Sequence, residues 1–159
     1  MPYKNIVVPY DTSEPAKRAL AAAIDMSAGM DAPVKVTALR IMRPFKNVDS
    51  TLQVAAEMAG IPLLDDDTRK VLGEHYAKVG EKQVQEQVEE FFEELPHNVT
   101  LGIELGHGRP ADAILDYAED NKCDCIVMGN RGLGAVKAAL GSVSTAVLRE
   151  STVPVLIVR

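Results

Sequence analysis

Short apolar runs alternate with longer amphipathic stretches along the whole chain. Apolar runs of about four to eight residues are typical of buried strands, and apolar residues at helical spacing are typical of amphipathic helices. Strands are predicted at 6–9, 34–41, 99–105, 124–128 and 153–158. Helices are predicted at 13–29, 68–95, 110–121 and 142–150. This alternation favours an α/β fold with an open five-stranded parallel sheet and helices on both faces.

The pattern lapses between residues 44 and 67. Within that stretch only 52–58 has helical spacing, and it is followed by a Gly-Ile-Pro turn and by the acidic run Asp65-Asp66-Asp67. Long irregular connections are uncommon inside compact domains. We therefore predict a single domain over residues 1–159 with a mobile insertion at 44–67, and we interpret the three aspartates as a solvated charge run.

Composition is that of one ordinary domain, because 159 residues with 47% hydrophobic content can bury a sizeable core. Cys123 and Cys125 lie two apart, where a mutual disulfide is strained, so we expect reduced thiols and a cytoplasmic protein. The chain has neither a signal-peptide layout nor an apolar run near the roughly 18 residues of a membrane helix. With a formal net charge of −6, we expect neither a membrane nor a nucleic acid as partner.

Glycines cluster after the fourth predicted strand. Gly129, Gly132 and Gly134 follow an apolar run, and Gly141-Ser142 opens the last predicted helix. Backbone N–H groups beside glycine can approach an anion closely, and a helix N-terminus favours negative charge. The spacing indicates a phosphate-binding site. The alternative is that these glycines only shape a tight turn from strand to helix.

These motifs resemble the signature of the universal stress protein family, in its ATP-binding branch. The signature is Gly-x-x-Gly, nine residues, then Gly-Ser or Gly-Thr; here Gly129 and Gly132 are followed by eight residues and Gly141-Ser142. The segments 6–13 and 151–158 also resemble the family's first and last strands. In a helical segment the loss of one residue rotates all later residues by roughly 100°, so we expect a tightened or shifted loop.

The resemblance implies a Rossmann-like sheet of order 3-2-1-4-5, like that of adenine nucleotide alpha hydrolases, with a crevice between strands one and four. The sequence agrees independently, because its chemically unusual residues come directly after those two strands. By resemblance the crevice binds ATP. No carboxylate cluster follows the first or fourth predicted strand, so we expect Mg²⁺ or Mn²⁺ to arrive on the phosphates. The implied binding residues are Pro9, Tyr10 and Ile41 at the base, Asp11, Met128 and Gly129 along the nucleoside, and Gly132, Gly141, Ser142, Val143 and Ser144 around the phosphates.

Some of these residues also have a plainer interpretation. Asp11 could cap the first helix instead of contacting the nucleoside, or could do both. Arg131 and Lys137 lie near the phosphate loop, where each is either a phosphate ligand or a solvated side chain. A second glycine motif, at 106–111, matches a dinucleotide-binding fingerprint but comes after the third strand, so we expect it to contribute backbone only.

Nothing in the pattern indicates efficient catalysis. The Walker sequence and the Gly-x-Ser-x-Gly elbow are absent, and the three histidines have no nucleophile nearby, so we name no catalytic residue. Two function classes stay open: a nucleotide-binding regulatory protein, and a slow ATPase or autophosphorylating protein that uses Ser142 or Ser144. A scaffold with an empty crevice is a third, and the glycines argue against it.

The last predicted strand, 153–158, is almost wholly apolar and lies at an edge in the expected strand order. An open apolar edge invites pairing with another chain. We therefore expect a homodimer in which two copies of this strand pair antiparallel about a two-fold axis, as the resemblance also implies. The alternative is a monomer whose edge is covered by the last helix or by the insertion.

Overall fold

A computed structural model describes residues 3–42, 66–93, 95–130 and 140–159. The strands are β1 (Asn5–Pro9), β2 (Val34–Met42), β3 (Val99–His107), β4 (Cys125–Gly129) and β5 (Val155–Val158). The helices are α1 (Glu14–Ala28), α2 (Asp66–Phe92), α3 (Pro110–Asp120) and α4 (Ser142–Glu150). All pairings between neighbouring strands are parallel, and the strand order is β3-β2-β1-β4-β5. The predicted fold class and strand order are confirmed.

The two sides of the sheet bury separate clusters of side chains. Ile6 and Val8 of β1 face α1 and α2, together with Val84 and Val88 of α2. Val7, between them, faces the opposite side, where Ile114 of α3 and Val147 of α4 pack. Because successive residues of a strand point to opposite faces, a central strand covered on both sides needs apolar residues at consecutive positions, as Ile6, Val7 and Val8 are in β1.

Helix α1 packs closely against the sheet because its inner face is built mainly from small residues. Its buried positions include Ala16, Ala19 and Ala23, beside Leu20. Ser13 is the N-cap residue, and its hydroxyl accepts a hydrogen bond from the N–H of Ala16 at 3.3 Å. A capping hydroxyl satisfies one of the N–H groups that a helix start leaves unpaired. The predicted start of this helix is correct.

Strand and helix ends differ from the predicted ones by a few residues. Strand β3 continues to His107 because β2 continues beside it, with Ile41 opposite Gly106 and Met42 opposite His107. Strand β5 begins only at Val155, since Pro154 has no N–H to donate to a neighbour. Helix α2 includes two of the three clustered aspartates, at 66 and 67. The predicted insertion at 44–67 lies almost entirely outside the described residues.

Helix α2 meets the sheet over its second half. Gly80 is buried there, and a Cβ atom on it would lie 2.9 Å from the Sδ and Cε atoms of Met42, the last residue of β2. None of the helices in the described ranges is long and apolar enough to cross a membrane.

Candidate functional site

The central strands β1 and β4 lie side by side, and the chain leaves them in opposite directions across the sheet. From β1 it goes to β2 on one side, and from β4 it goes to β5 on the other. In open parallel sheets this reversal leaves a crevice beyond the carboxyl ends of the two strands. Tyr10, Asp11 and Thr12 come directly after β1, and Asn130 comes directly after β4, so the loops predicted to form the site converge there.

Gly129, the last residue of β4, lies against the first turn of α1. A Cβ atom on Gly129 would lie 2.7 Å from Cβ of Pro15 and 2.8 Å from its carbonyl carbon and oxygen. Two of those three atoms belong to the helix backbone, which cannot easily move. Close packing between β4 and α1 therefore requires glycine at this position, whatever else it does.

Hydrogen bonds hold the start of α4 directly at the end of β4. The N–H of Gly141 donates to the carbonyl of Asn130 at 2.8 Å, and the hydroxyl of Ser144 donates to the carbonyl of Gly129 at 3.0 Å. The N–H of Asn130 in turn donates to the carbonyl of Val158 at 2.9 Å. Asn130 and Gly141 are therefore in direct contact. Arg131, Gly132 and Lys137 belong to the segment 131–139 and lie outside the described residues.

Asn130 lies in the candidate site, and the sequence interpretation did not name it as a binding residue. Its backbone bonds both β5 and the start of α4, and its side-chain Oδ1 is buried without a hydrogen-bond partner in the part of the chain that the structure describes. Its position between Gly129 and Gly132 could have drawn attention to it. The Gly-x-x-Gly spacing, however, does not specify which residues lie between the glycines or what they contact.

The N-terminus of α4 has backbone donors but no side-chain cap. Its N-cap residue is Gly141, with φ −65° and ψ 156°, and no capping side-chain hydrogen bond is present in the described ranges. The first intrahelical bond runs from Thr145 N–H to the carbonyl of Gly141, so the N–H groups of residues 142–144 precede the helical ladder. Ser142 is exposed, Val143 is half-buried and Ser144 is only 3% exposed. Donors of this kind, with the positive end of the helix dipole, favour an anion.

Asp11 is half-buried at the start of the loop into α1. Its Oδ1 atom accepts hydrogen bonds from both the N–H and the hydroxyl of Ser13, the N–H at 3.1 Å. The helix cap itself is Ser13. Asp11 therefore supports the cap from outside the helix, and this role is compatible with a ligand contact by the same carboxylate.

Pro9, Tyr10 and Ile41, expected at the base, and Met128, expected along the nucleoside, lie on both faces of the sheet. Ile41 and Met128 lie on the face covered by α3 and α4, where Gly106 gives the Cδ1 atom of Ile41 room. Pro9 is half-buried at the end of β1. Tyr10 is 1% exposed and packs in the core under α1 and α2, with its hydroxyl 3.5 Å from Oε1 of Gln87.

Burial is also the main reason that the pKa of Tyr10 is raised to about 12, with further contributions from the charges of Glu90, Glu14 and Asp11. The phenol is therefore neutral at physiological pH, and its ring is part of the core.

The second glycine motif ends β3 and opens α3. Gly108 has φ +122°, a conformation that favours glycine, and its N–H reaches the carbonyl of Met42 at 3.4 Å. Arg109 is the N-cap residue of α3 without a capping side-chain bond, and its guanidinium lies 3.5 Å from the carboxylate of Asp112. In the described residues this loop shapes the turn through its backbone.

Both cysteines are buried free thiols, Cys123 on the α3–α4 face and Cys125 on the α1–α2 face. Burial raises the pKa of Cys125 to about 11 and that of Cys123 above its usual range. Buried thiols with raised pKa values are poor nucleophiles. No group of three or more potential metal ligands among His, Cys, Asp and Glu occurs within the described ranges.

Curated relatives match this chain over nearly its full length. It is 34% identical over 158 residues to a universal stress protein of Thermus aquaticus, covering 99% of each chain. It is 30% identical over 160 residues to universal stress protein MJ0531 of Methanocaldococcus jannaschii, covering 99% of this chain and 82% of that protein.

Solved structures share the fold. The hypothetical protein MJ0577 is 26% identical, with a TM-score of 0.64, and the match covers 99% of this chain and 96% of that one. A universal stress protein in complex with cAMP is 24% identical with a TM-score of 0.55, covering 100% of this chain and 98% of that one. A universal stress protein family member from Arabidopsis thaliana with AMP bound is 16% identical with a TM-score of 0.55, covering 98% of this chain and 90% of that one.

The family model described as the universal stress protein family matches residues 2–159. With the parallel sheet, its strand order and the full-length relatives, this match shows that the chain belongs to the universal stress protein family.

Proposed function

We propose that this protein binds ATP in the crevice between β1 and β4 and acts as a nucleotide-dependent regulatory protein in a stress response. The observation that carries the proposal is the N-terminus of α4. It begins with a glycine, has backbone donors without a side-chain cap, and is held at the carboxyl end of β4 by the Gly141–Asn130 hydrogen bond. A phosphate group placed there would accept those N–H groups and gain from the helix dipole.

The remaining contacts of the proposed site belong to the same crevice. Asp11 is the acceptor for a ribose hydroxyl or for the exocyclic amine of the base, while Pro9, Ile41 and Met128 supply apolar surface near it. Gly132 and Arg131 would add to the phosphate contacts. Two solved structures with this fold contain cAMP and AMP. Because both are less than 25% identical to this chain, they support the fold only, and the nucleotide is proposed from the residues of this chain.

A divalent cation, Mg²⁺ or Mn²⁺, is proposed to arrive on the ATP phosphates. Mg²⁺ commonly keeps several waters and binds through substrate phosphates with few protein ligands.

The first test is calorimetry with ATP, ADP and AMP in the presence of Mg²⁺, on the native chain and on Gly141→Asp. Aspartate is a better N-cap than glycine and favours the positive end of the helix, so we expect α4 to gain stability of about 0.3–1 kcal/mol. The same carboxylate occupies the donors and repels phosphate, so ATP affinity should fall at least about tenfold. Opposite signs for stability and affinity separate a ligand site from a structural turn.

Thr145→Asp is the matched control. Thr145 is exposed and lies one turn further along α4, where its hydroxyl donates to the carbonyl of Gly141 at 3.0 Å. The substitution adds the same charge without capping the helix, and it also removes that hydrogen bond. We expect it to weaken ATP binding much less than Gly141→Asp does. No heat from any adenine nucleotide on the native chain, or equal affinities of the native chain and Gly141→Asp, would contradict the proposal.

A second candidate function is a slow ATPase or autophosphorylating enzyme, and the exposures of two serines bear on it. Ser142 is the more exposed, at the first position of α4, whereas Ser144 is 3% exposed and its hydroxyl donates to the carbonyl of Gly129. Ser142 is therefore the better placed acceptor for a phosphoryl group. Incubation with γ-labelled ATP, followed by mass spectrometry of native protein and Ser142→Ala, distinguishes retained nucleotide from released ADP and from phosphorylated protein.

A further inference from the structure

The loop between β1 and α1 has a strained backbone at one residue and is held by hydrogen bonds on both sides of that residue. Thr12 has φ 69°, in the left-handed region that a β-branched residue rarely adopts. Such a conformation persists only where its surroundings over-determine it, and it concentrates at binding sites. Before Thr12, the N–H of Tyr10 donates to the carbonyl of Leu39 at 2.8 Å. After it, Ser13 caps α1.

Ser13 uses all its polar atoms in this arrangement, although it is only 6% exposed. Its hydroxyl oxygen accepts from the N–H of Ala16 at 3.3 Å, and its O–H donates to Oδ1 of Asp11. Its own N–H donates to the same Oδ1 at 3.1 Å, and its carbonyl accepts from the N–H of Lys17 at 3.0 Å. Two donors from one residue thus converge on one carboxylate oxygen.

Two donors on one oxygen restrict the side-chain rotation of Asp11 and hence the direction in which its carboxylate points. The platform beneath is rigid as well, because Pro15 packs against the backbone of Gly129 at the end of β4. The side of the crevice at β1 is therefore fixed relative to the side at β4. The Ser13–Ala16 hydrogen bond caps the helix, and the two further hydrogen bonds from Ser13 to Asp11 both support that cap and orient the carboxylate.

We propose that Ser13 is a positioning residue of the nucleoside subsite, which acts by holding the Asp11 carboxylate in the orientation that recognises the nucleoside. This inference rests on the proposed function, since it assigns to Asp11 the contact with a ribose hydroxyl or an exocyclic amine. Loss of the hydroxyl removes one of the two Ser13 donors to Oδ1 and so loosens the orientation of the carboxylate. Ordering it again on binding costs affinity for the nucleoside and none for the phosphates.

The test compares Ser13→Gly and Ser13→Thr with the native chain. Glycine is a tolerated N-cap and costs the helix only a few tenths of a kcal/mol, so the variant keeps its fold while losing the hydroxyl. Two probes are titrated by calorimetry: ATP, and inorganic tripolyphosphate, which has no nucleoside. We expect Ser13→Gly to weaken ATP binding about tenfold and to leave tripolyphosphate binding unchanged, and Ser13→Thr to restore ATP binding.

A double-mutant cycle shows whether Ser13 acts through Asp11. In an Asp11→Ala background, Ser13→Gly should have no further effect on ATP affinity, because the group it positions is gone. An undiminished effect in that background would overturn the inference. So would an unchanged ATP affinity of Ser13→Gly, or equal losses for ATP and tripolyphosphate, which indicate a structural role only.

Failure of the proposed function is distinguishable from failure of this inference. If the native chain binds neither probe, the proposed function fails and the positioning role fails with it. If it binds tripolyphosphate but not ATP, the phosphate subsite stands and the nucleoside subsite, including the role of Ser13, is wrong. If it binds both and Ser13→Gly behaves as native, only the positioning role is wrong.

Discussion

Single glycines differ sharply in the atoms that a side chain would meet at their positions. At Gly129 an added Cβ atom meets the backbone of Pro15, and at Gly102, in the edge strand β3, it meets nothing within 4 Å. Backbone atoms of a packed helix move only if the helix moves, whereas open space costs nothing. The same glycine-to-alanine substitution should therefore change the free energy of unfolding differently at the two positions.

Gly129→Ala should destabilise the protein by about 1–3 kcal/mol, the usual cost of forcing an extra group into a packed contact. Urea denaturation followed by circular dichroism measures it. Gly102→Ala is the matched control and should remain within about 1 kcal/mol of the native chain, because alanine fits there and reduces the freedom of the unfolded chain. Equal stabilities of the two variants would mean that α1 and β4 are not as close as described.

Tyr10 gives a pH dependence of stability with a definite sign. Its pKa is raised to about 12 in the folded state, from about 10 in an unfolded chain. The folded state therefore holds the proton more tightly. The stability that this group contributes is complete below about pH 10 and is lost as the pH rises through about 12.

Tyr10→Phe removes the ionisable hydroxyl and only a long hydrogen bond, at 3.5 Å to Gln87. We expect the variant to match the native chain near neutral pH and to lose stability less steeply between about pH 10 and 12. Denaturant midpoints of both proteins across that range provide the measurement. Parallel curves would show that Tyr10 ionises as readily in the folded protein as in the unfolded one.

At the scale of elements, helix α2 packs on the sheet at a glycine whose neighbour is flexible. The atoms near Gly80 are Sδ and Cε of Met42, the far end of an unbranched side chain that adapts to irregular space. An added Cβ atom at Gly80 would meet the end of a flexible side chain, whereas one at Gly129 would meet Cβ and backbone atoms of Pro15 at a similar distance.

Gly80→Ala should therefore stabilise the protein, by up to about 1 kcal/mol, because alanine is the better helix former and Met42 can move aside. Thermal denaturation measures the gain. Repeating the substitution in a Met42→Leu background, where the branched side chain adapts less, should give a smaller gain. A loss of stability in the native background would show that Met42 is held in place.

The elements were predictable from the sequence because each has a strong local signal. Alternating apolar runs located all five strands, and the serine before Glu14-Pro15 located the start of α1 within one residue. Ends depended on neighbours: the continuation of β3 to His107 is set by pairing with β2, which no local pattern shows. The glycine spacing predicted a phosphate site, and that site stays a prediction. The contacts of Ser13 with Asp11 and of Asn130 with Gly141 and Val158 are not encoded in glycine spacing.

On the scale of the whole molecule, β5 is an edge strand with one neighbour, β4. Leu156 on it is 41% exposed, whereas Val158 packs against the core under α1. An apolar edge with one exposed leucine favours pairing with a second copy about a two-fold axis. The homodimer remains a prediction, and Leu156 is the residue at which to test it.

Leu156→Asp should convert a dimer into monomers while keeping native helix content, because it places like charges face to face across the two-fold axis. Sedimentation at tens of micromolar measures the mass. Val71→Asp, at a residue 64% exposed on α2, is the control and should leave the dimer intact. A monomeric native chain, or a dimer that persists in Leu156→Asp, would place the interface elsewhere.

The hydrogen bond between Asn130 and Gly141 also bears on how the chain tolerates changes in length. Because the N–H of Gly141 and the carbonyl of Asn130 are 2.8 Å apart, the start of α4 is bonded to the end of β4 directly as well as through the residues between them. Closing a loop that differs by one residue changes its entropy only slightly. A chain with one residue more or fewer between Gly132 and Gly141 should therefore keep its fold.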